Sequence, residues 1–380
     1  MITEKIPTVN YSKAVSNQGN PCRIKAVLRR AAAGDKITVG FIGGSITQGS
    51  LATAPDKCYA HKVFEWFEES FPEAEFKYVN AGIGATDSQF GCARADSDLL
   101  AFEPDICFAE YSVNDAASAH YMETYEGLVR KILSSDPGRA LMLIHNVRYD
   151  DGGSAQAVHS AVARRYDVPA VSMRDVIFPE LEKGRLENRA ITPDDLHPND
   201  VGHSLVASVI ISVLEDIRAR MNEEDEPEKE MPVPLTPNAY EDSVRYRNDN
   251  SDDICVSSEG FTKDETPQDV ITDIFRKGWT ATRKGASITF KVKGSCIGVQ
   301  YRRTIRKPAP AAVLTVDDDP EMTYILDADF DETWGDKLCL QTALDHGEDS
   351  EHTVRIELKD THPDDALPFY LVSVIVSGRK

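Results

Sequence analysis

The sequence offers little that would commit it to an oxidising compartment, a metal or a membrane. Its seven cysteines (22, 58, 92, 107, 255, 296 and 339) are odd in number and scattered, and no two stand as CxxC. Neither a disulfide framework nor a zinc site is indicated, and the thiols are read as mostly buried. No run approaches the roughly 18 apolar residues of a membrane span. The N-terminal "MITEKIPTVNYSKAVSN" lacks the basic-then-apolar run of a secretory signal, so a soluble, cytoplasmic protein is expected. Positive charge is scarce: 42 Lys and Arg stand against 63 Asp and Glu, a net charge of −21. That balance speaks against nucleic acid and anionic membrane as partners and suits a neutral substrate. No internal repeat is evident.

What is present points to two domains, because 380 residues exceed the size at which one core stops growing. After a short helix over about residues 24–33, strand-like and helix-like segments alternate to about residue 220, which argues α/β. The strand candidates "KITVGFI", "EFKYVNA", "ICFAEYSV", "ALMLIHNV" and "VPAVSM" are mostly continuous apolar runs, as in a parallel sheet covered on both faces. Helices are expected at about 58–71, 88–100, 119–134 and 156–166. A last one places Leu205, Val206, Val209, Ile210, Val213, Leu214 and Ile217 on one face. "NEEDEPEKEMPVPLTP" is then a charge run followed by three prolines and reads as a solvated linker. The expected division is 1–222, a linker over 223–238, and 239–380. Beyond the linker the pattern changes to period two, in "SITFKVKGSCIGVQY" (two strands around Lys293-Gly294), "EMTYILD", "HTVRIEL" and "FYLVSVIV", which argues a β-sandwich of jelly-roll type.

In an open parallel sheet ligands bind beyond the carboxyl ends of the strands. The first strand runs into "GGSIT", where Gly43 and Gly44 permit a sharp turn and Ser45 either caps a helix or attacks a substrate. A serine nucleophile needs a base that is itself oriented by a third group. "TPDDLHPNDVGH" supplies both, with Asp194 three residues before His197. A lone DxxH would more simply be a capped turn beside a surface histidine; a serine at a strand end makes that account insufficient. Donors for a developing oxyanion are offered by the small residues of "NAGIGATDSQFG" and by Asn114 in "SVND", although glycine and asparagine are also ordinary turn residues.

These four blocks, in this order and at strand ends, resemble the SGNH (GDSL-like) hydrolases, over about residues 36–220. The resemblance implies a flavodoxin-like three-layer α/β/α domain with a parallel sheet and a serine mechanism without metal or cofactor. It assigns Ser45 as nucleophile, His197 as general base and Asp194 as its orienter. The oxyanion donors it implies are Asn114 and the backbone amides of Ser45 and Ala85. Ala85 stands where the family usually has glycine, so its donor role is expected only at negative φ, with Gly84 as fallback. Gly44 replaces the family's usual aspartate, which removes a carboxylate that braces the loop.

The resemblance leaves the ester open. A β-sandwich after an SGNH domain is similar to carbohydrate-binding modules, and the pair resembles two-domain carbohydrate O-acetylesterases, including mannan acetylesterases with a family-35-type module. The expected substrate is therefore an acetylated oligosaccharide. Trp279 and Trp334 are each either a sugar platform or a core or interface residue, with Trp334 favoured as a platform because its acidic neighbours resist burial. His145, at the end of the fourth strand, is a candidate substrate contact. Asp317, Asp318 and Asp319 read as an acidic hairpin turn rather than a calcium site. The alternatives are a lipase or thioesterase of the same superfamily and a non-catalytic sugar-binding protein on its scaffold. A second copy of the chain is a candidate partner, through the sandwich.

Overall fold

A computed structural model describes residues 7–225, 227 and 229–379. The chain falls into two units, the first ending at Asn238 and the second beginning at Ala239.

In the first unit the apolar runs form β2 (Lys36–Gly43), β3 (Glu75–Gly82), β4 (Ile106–Glu110), β5 (Ala140–His145) and β6 (Ala170–Ser172), preceded by a short β1 (Val15–Asn17). The sheet order is β1-β6-β5-β4-β2-β3. Pairs among β2 to β6 are parallel, whereas β1 adds to β6 antiparallel. This sixth strand was not foreseen, because three residues carry no readable period. It is held by Ser172 N–H donating to Ala14 O at 2.7 Å and by Asn17 Nδ2 donating to Val168 O at 2.8 Å.

The helices are α1 (Cys22–Ala32), α2 (Ser45–Gln48), α3 (Tyr59–Ser70), α4 (Ser88–Asp98), α5 (Ala119–Ser135) and α6 (Gln156–Arg165). Three short turns follow, α7 (Met173–Val176), α8 (Phe178–Glu182) and α9 (Asn188–Ile191), and then α10 (Asp200–Ala219). On one face of the sheet α1, α3 and α10 bury Ile24, Leu28, Val63, Phe67, Leu205 and Ile210 against Val39, Phe41, Phe108 and Ile144. On the other lie α4, α5 and α6, packed side by side. From β2 the chain goes outward to β3 and returns across β2 to β4. The end of β2 is therefore the switch point at which a doubly wound sheet opens a crevice. Among the described residues no helix is long and apolar enough to cross a membrane.

The segment expected as a free linker lies along the first unit. The buried Glu126 carboxylate accepts from the amides of Leu235 (2.6 Å) and Thr236 (2.9 Å). Arg130 and Arg165 donate to the carbonyls of Pro232 and Val233 at 2.9 Å. Met231, Val233 and Leu235 stay exposed, so the segment joins no core but is tied down by its backbone.

The second unit comprises β7 (Val244–Tyr246), β8 (Cys255–Glu259), β9 (Thr262–Lys263), β10 (Trp279–Ala281), β11 (Ser287–Gly294), β12 (Cys296–Arg303), β13 (Ala311–Val316), β14 (Thr323–Asp327), β15 (Lys337–Leu344), β16 (Ser350–Asp360) and β17 (Phe369–Ser377). They form two antiparallel sheets, β15-β12-β17-β10-β9 with β7 also on β17, and β14-β13-β16-β11-β8. The core between them takes Ile288, Phe290, Leu314 and Ile356 from one sheet and Val299, Leu371 and Val374 from the other. The strands expected around Lys293-Gly294 exist, but β11 and β12 belong to opposite sheets and only Ser295 joins them. At the acidic turn between β13 and β14 the Asp317 carboxylate accepts from His352 Nδ1 (2.6 Å) and Thr353 N–H (2.7 Å), which ties the corner to β16.

Candidate active site

Ser45 is the first residue of α2 and follows Gly44 in extended backbone (φ −86°, ψ −150°). Its Oγ lies 2.8 Å from His197 Nε2, and His197 Nδ1 lies 2.7 Å from Asp194 Oδ2. With a neutral imidazole the Nδ1–H donates to the carboxylate and Nε2 accepts the serine proton. The other carboxylate oxygen of Asp194 accepts from the amides of His197 (2.7 Å) and Leu196 (3.1 Å). Burial would raise the Asp194 pKa, but these hydrogen bonds, the imidazole's first, outweigh it and hold the carboxyl below its usual range.

The turn carrying both residues is fixed from three sides. Asn199 accepts from Gly202 N–H at 3.0 Å, capping α10 just beyond His197. Tyr149 N–H donates to Asp195 O at 2.7 Å, and the Asp195 carboxylate pairs with Arg189 at 2.8 Å and accepts from Asn188. Asp195 itself takes a left-handed backbone, φ +68°.

The two other blocks converge on the same serine. A Cβ placed on Gly84 would lie 3.6 Å from Ser45 Cβ, and one on Gly44 would lie 2.3 Å from Asn114 Oδ1. The Asn114 carboxamide thus rests against the residue before the nucleophile, and the glycine there makes room for it. Asn80 Nδ2 donates to Thr47 O at 2.8 Å and Ile83 N–H to Gly43 O at 3.0 Å, which clamps the end of β3 onto the serine loop.

Several expectations need correction. Ala85 has φ +55°, the left-handed backbone that glycine favours, so the condition of negative φ set for its donor role is not met. Gly84 is not a spare donor, since its N–H is taken by Gln48 Oε1 at 2.6 Å. His145 is no substrate contact. It is fully buried, and burial drives its pKa down to about 3. The chain beyond it folds back, with Arg148 N–H on Gly153 O and Ala155 N–H on Ser112 O, and the His145 ring lies 6.0 Å from that of the buried His159. Trp279 is 1% exposed and meets Phe290 edge-on at 5.3 Å, so it belongs to the sandwich core. Trp334 is 57% exposed, with its ring edge-on to Phe330 at 5.1 Å.

Beneath the strand ends lies a buried polar layer that was not anticipated. His159 Nε2 meets Asp115 Oδ2 at 2.9 Å, and Tyr125 stacks on the His159 ring at 3.6 Å. Glu110 accepts from Ser112 N–H and Oγ, both at 2.9 Å. Burial raises Glu110 and Asp115 to about 7 and lowers His159 to about 3, so charge is disfavoured throughout the layer. Arg94, between two alanines in α4, is also fully buried.

The family model described as GDSL-like lipase/acylhydrolase matches residues 41–205. No curated protein sequence matches the chain. Among solved structures, a two-domain esterase active on acetylated mannans is 52% identical, covers 98% of this chain and 100% of its own, and superposes with a TM-score of 0.94. A structure of such an esterase co-crystallised with mannopentaose is likewise 52% identical, over 98% of this chain and 99% of that one, with the same TM-score. Identity of that order over the whole length, together with the family match, establishes that the chain belongs to the GDSL-like lipase/acylhydrolase family.

Proposed function

We propose that this chain is a carbohydrate acetylesterase that removes O-acetyl groups from acetylated manno-oligosaccharides through an acetyl-serine intermediate. The observation that carries the proposal is the unbroken hydrogen-bond chain from Ser45 through His197 to Asp194, in a protein 52% identical along its length to an esterase active on acetylated mannans. Ser45 Oγ attacks the acetyl carbonyl as its proton passes to His197 Nε2. The resulting oxyanion accepts from the amides of Ser45 and Ala85 and from Asn114 Nδ2, while Asp194 stabilises the imidazolium. His197 returns the proton to the sugar oxygen, which leaves as a free hydroxyl. Water, deprotonated by the same histidine, then releases acetate.

We read the second unit as a jelly roll similar to carbohydrate-binding modules, with Trp334 as its sugar platform. Its support is the exposed indole, steadied from the side by Phe330, since a flat ring can cover the apolar face of a sugar. Cytoplasm is the proposed compartment, which suits seven cysteines that are odd in number, scattered and without a CxxC pair.

Time-resolved NMR of acetylated manno- and xylo-oligosaccharide mixtures tests the proposal. The intact protein should erase particular acetyl signals of the mannan series, and Ser45→Ala should erase none. Turnover of short model esters without loss of sugar acetate would remove the carbohydrate assignment. Sugar binding without any turnover would leave a binding protein.

A further inference from the structure

The acyl transfer makes no direct use of Arg94, and an apolar core does not call for it. It sits in the middle of α4 with no exposed side-chain surface, where an unanswered guanidinium costs several kcal/mol. Nη1 faces Asp98 Oδ2 at 3.3 Å, and the ring of Phe90 lies 5.4 Å from the guanidinium carbon. An ion pair with Asp98 would need no more than that. Nη2, however, donates to two further groups, Gly43 O at 3.1 Å and Tyr111 Oη at 2.9 Å.

Each of these acceptors belongs to a segment of the candidate site. Gly43 stands two residues before Ser45, and its carbonyl also receives Ile83 N–H, two residues before Ala85. Tyr111 opens the loop of Asn114, and its carbonyl accepts the amides of Asn114 (3.0 Å) and Asp115 (2.9 Å). The phenol reaches Arg94 because residue 91 has no side chain: a Cβ there would lie 2.5 Å from Tyr111 Oη.

We propose that Arg94 is a positioning residue that holds the ends of β2, β3 and β4 in mutual register, and with them the three donors that face the oxyanion. This rests on the reading of Ser45 as nucleophile. Lysine cannot replace it, because one ammonium lacks the planar fork that reaches Asp98 and both acceptors together.

The test compares the intact protein with Arg94→Lys, Arg94→Met, Tyr111→Phe and Ser45→Ala on 4-nitrophenyl acetate. Reactive serines are counted with a fluorophosphonate so that kcat refers to competent sites, and thermal unfolding is followed in parallel. A misplacement of about 1 Å at such donors costs about 10²-fold in rate. Arg94→Lys is therefore expected to lose about that much in kcat per reactive serine with KM little changed, and Tyr111→Phe a smaller part of it. Should Arg94→Met fail to fold, the lysine and phenylalanine variants still decide. Unchanged kcat per reactive serine, with only a lower Tm, would overturn the proposal and leave Arg94 a stabilising ion. If Ser45→Ala cleaved as fast as the intact protein, the catalytic assignment itself would fall.

Discussion

At position 44 a missing side chain matters more than the carboxylate it replaces. Gly44 has a negative φ (φ −86°, ψ −150°) that borders the extended region open to alanine, so Gly44→Ala tests mainly the contact with Asn114. The added Cβ would come within 2.3 Å of Asn114 Oδ1 and must push the carboxamide aside. The expected result is a fall in kcat of about 10²-fold, as for loss of one oxyanion donor, with Tm nearly unchanged. Steady-state kinetics with thermal unfolding checks it, and an unaltered kcat would exclude Asn114 as a donor. Ala85→Gly should do the opposite. At φ +55° it relieves about 1 kcal/mol of left-handed strain and should leave kcat intact. Both departures from the family pattern were visible in the sequence, but their meaning was not, since it depends on what lies across the turn.

Among the elements, β4 and β5 carry a titration that the chemistry of Ser45 does not need. Folded, His145 takes up a proton only near pH 3, against 6.5 for an unperturbed histidine. Between those values the unfolded chain binds the extra proton, so stability falls as pH is lowered through the window, by up to about 1.4 kcal/mol per pH unit. Glu110, raised to about 7, acts with opposite sign, because the folded chain then holds the proton. A comparison of variants separates the two: His145→Gln should flatten the decline of Tm from about pH 6 to 4 relative to the intact protein. Identical profiles would mean that His145 is protonated in the folded state.

That layer also marks the limit of what a single sequence discloses. Apolar runs announced β2 to β6, the polar residues beyond β2 and β4 announced Ser45 and Asn114, and the DxxH turn before α10 announced Asp194 and His197, because each signal lies within a few consecutive residues. His145 also ends a strand, yet it is fully buried, and its burial depends on how segments distant in the chain pack around it. Gln48 and Arg94 escaped for the same reason. Their partners Gly84, Gly43 and Tyr111 come from other segments, and neither residue is unusual for a helix.

At the scale of the molecule, the two units enclose separate cores, one drawn from residues up to Ile217 and the other from Phe261 onward. A chain ending at Asn238 is therefore expected to fold and to cleave 4-nitrophenyl acetate with kcat near that of the full protein. On acetylated manno-oligosaccharides it should show a higher KM if the sandwich contributes to sugar capture. Equal KM on the oligosaccharide would assign the second unit to another task.

The second unit also holds a tight seam. Ser295 alone carries the chain from β11 in one sheet to β12 in the other, and it is anchored there by its N–H on Ser377 O (3.0 Å) and its carbonyl under Gly347 N–H (2.8 Å). Of the connections that cross between the sheets this is the shortest, the next being the two residues between β8 and β9. Arg303 stands at the other end of β12, seven steps or about 24 Å from its start. It pairs with Lys337, three residues past Trp334, so the exposed indole is placed at the end of the strand remote from this seam, where, among the described residues, no one-residue link binds one sheet to the other.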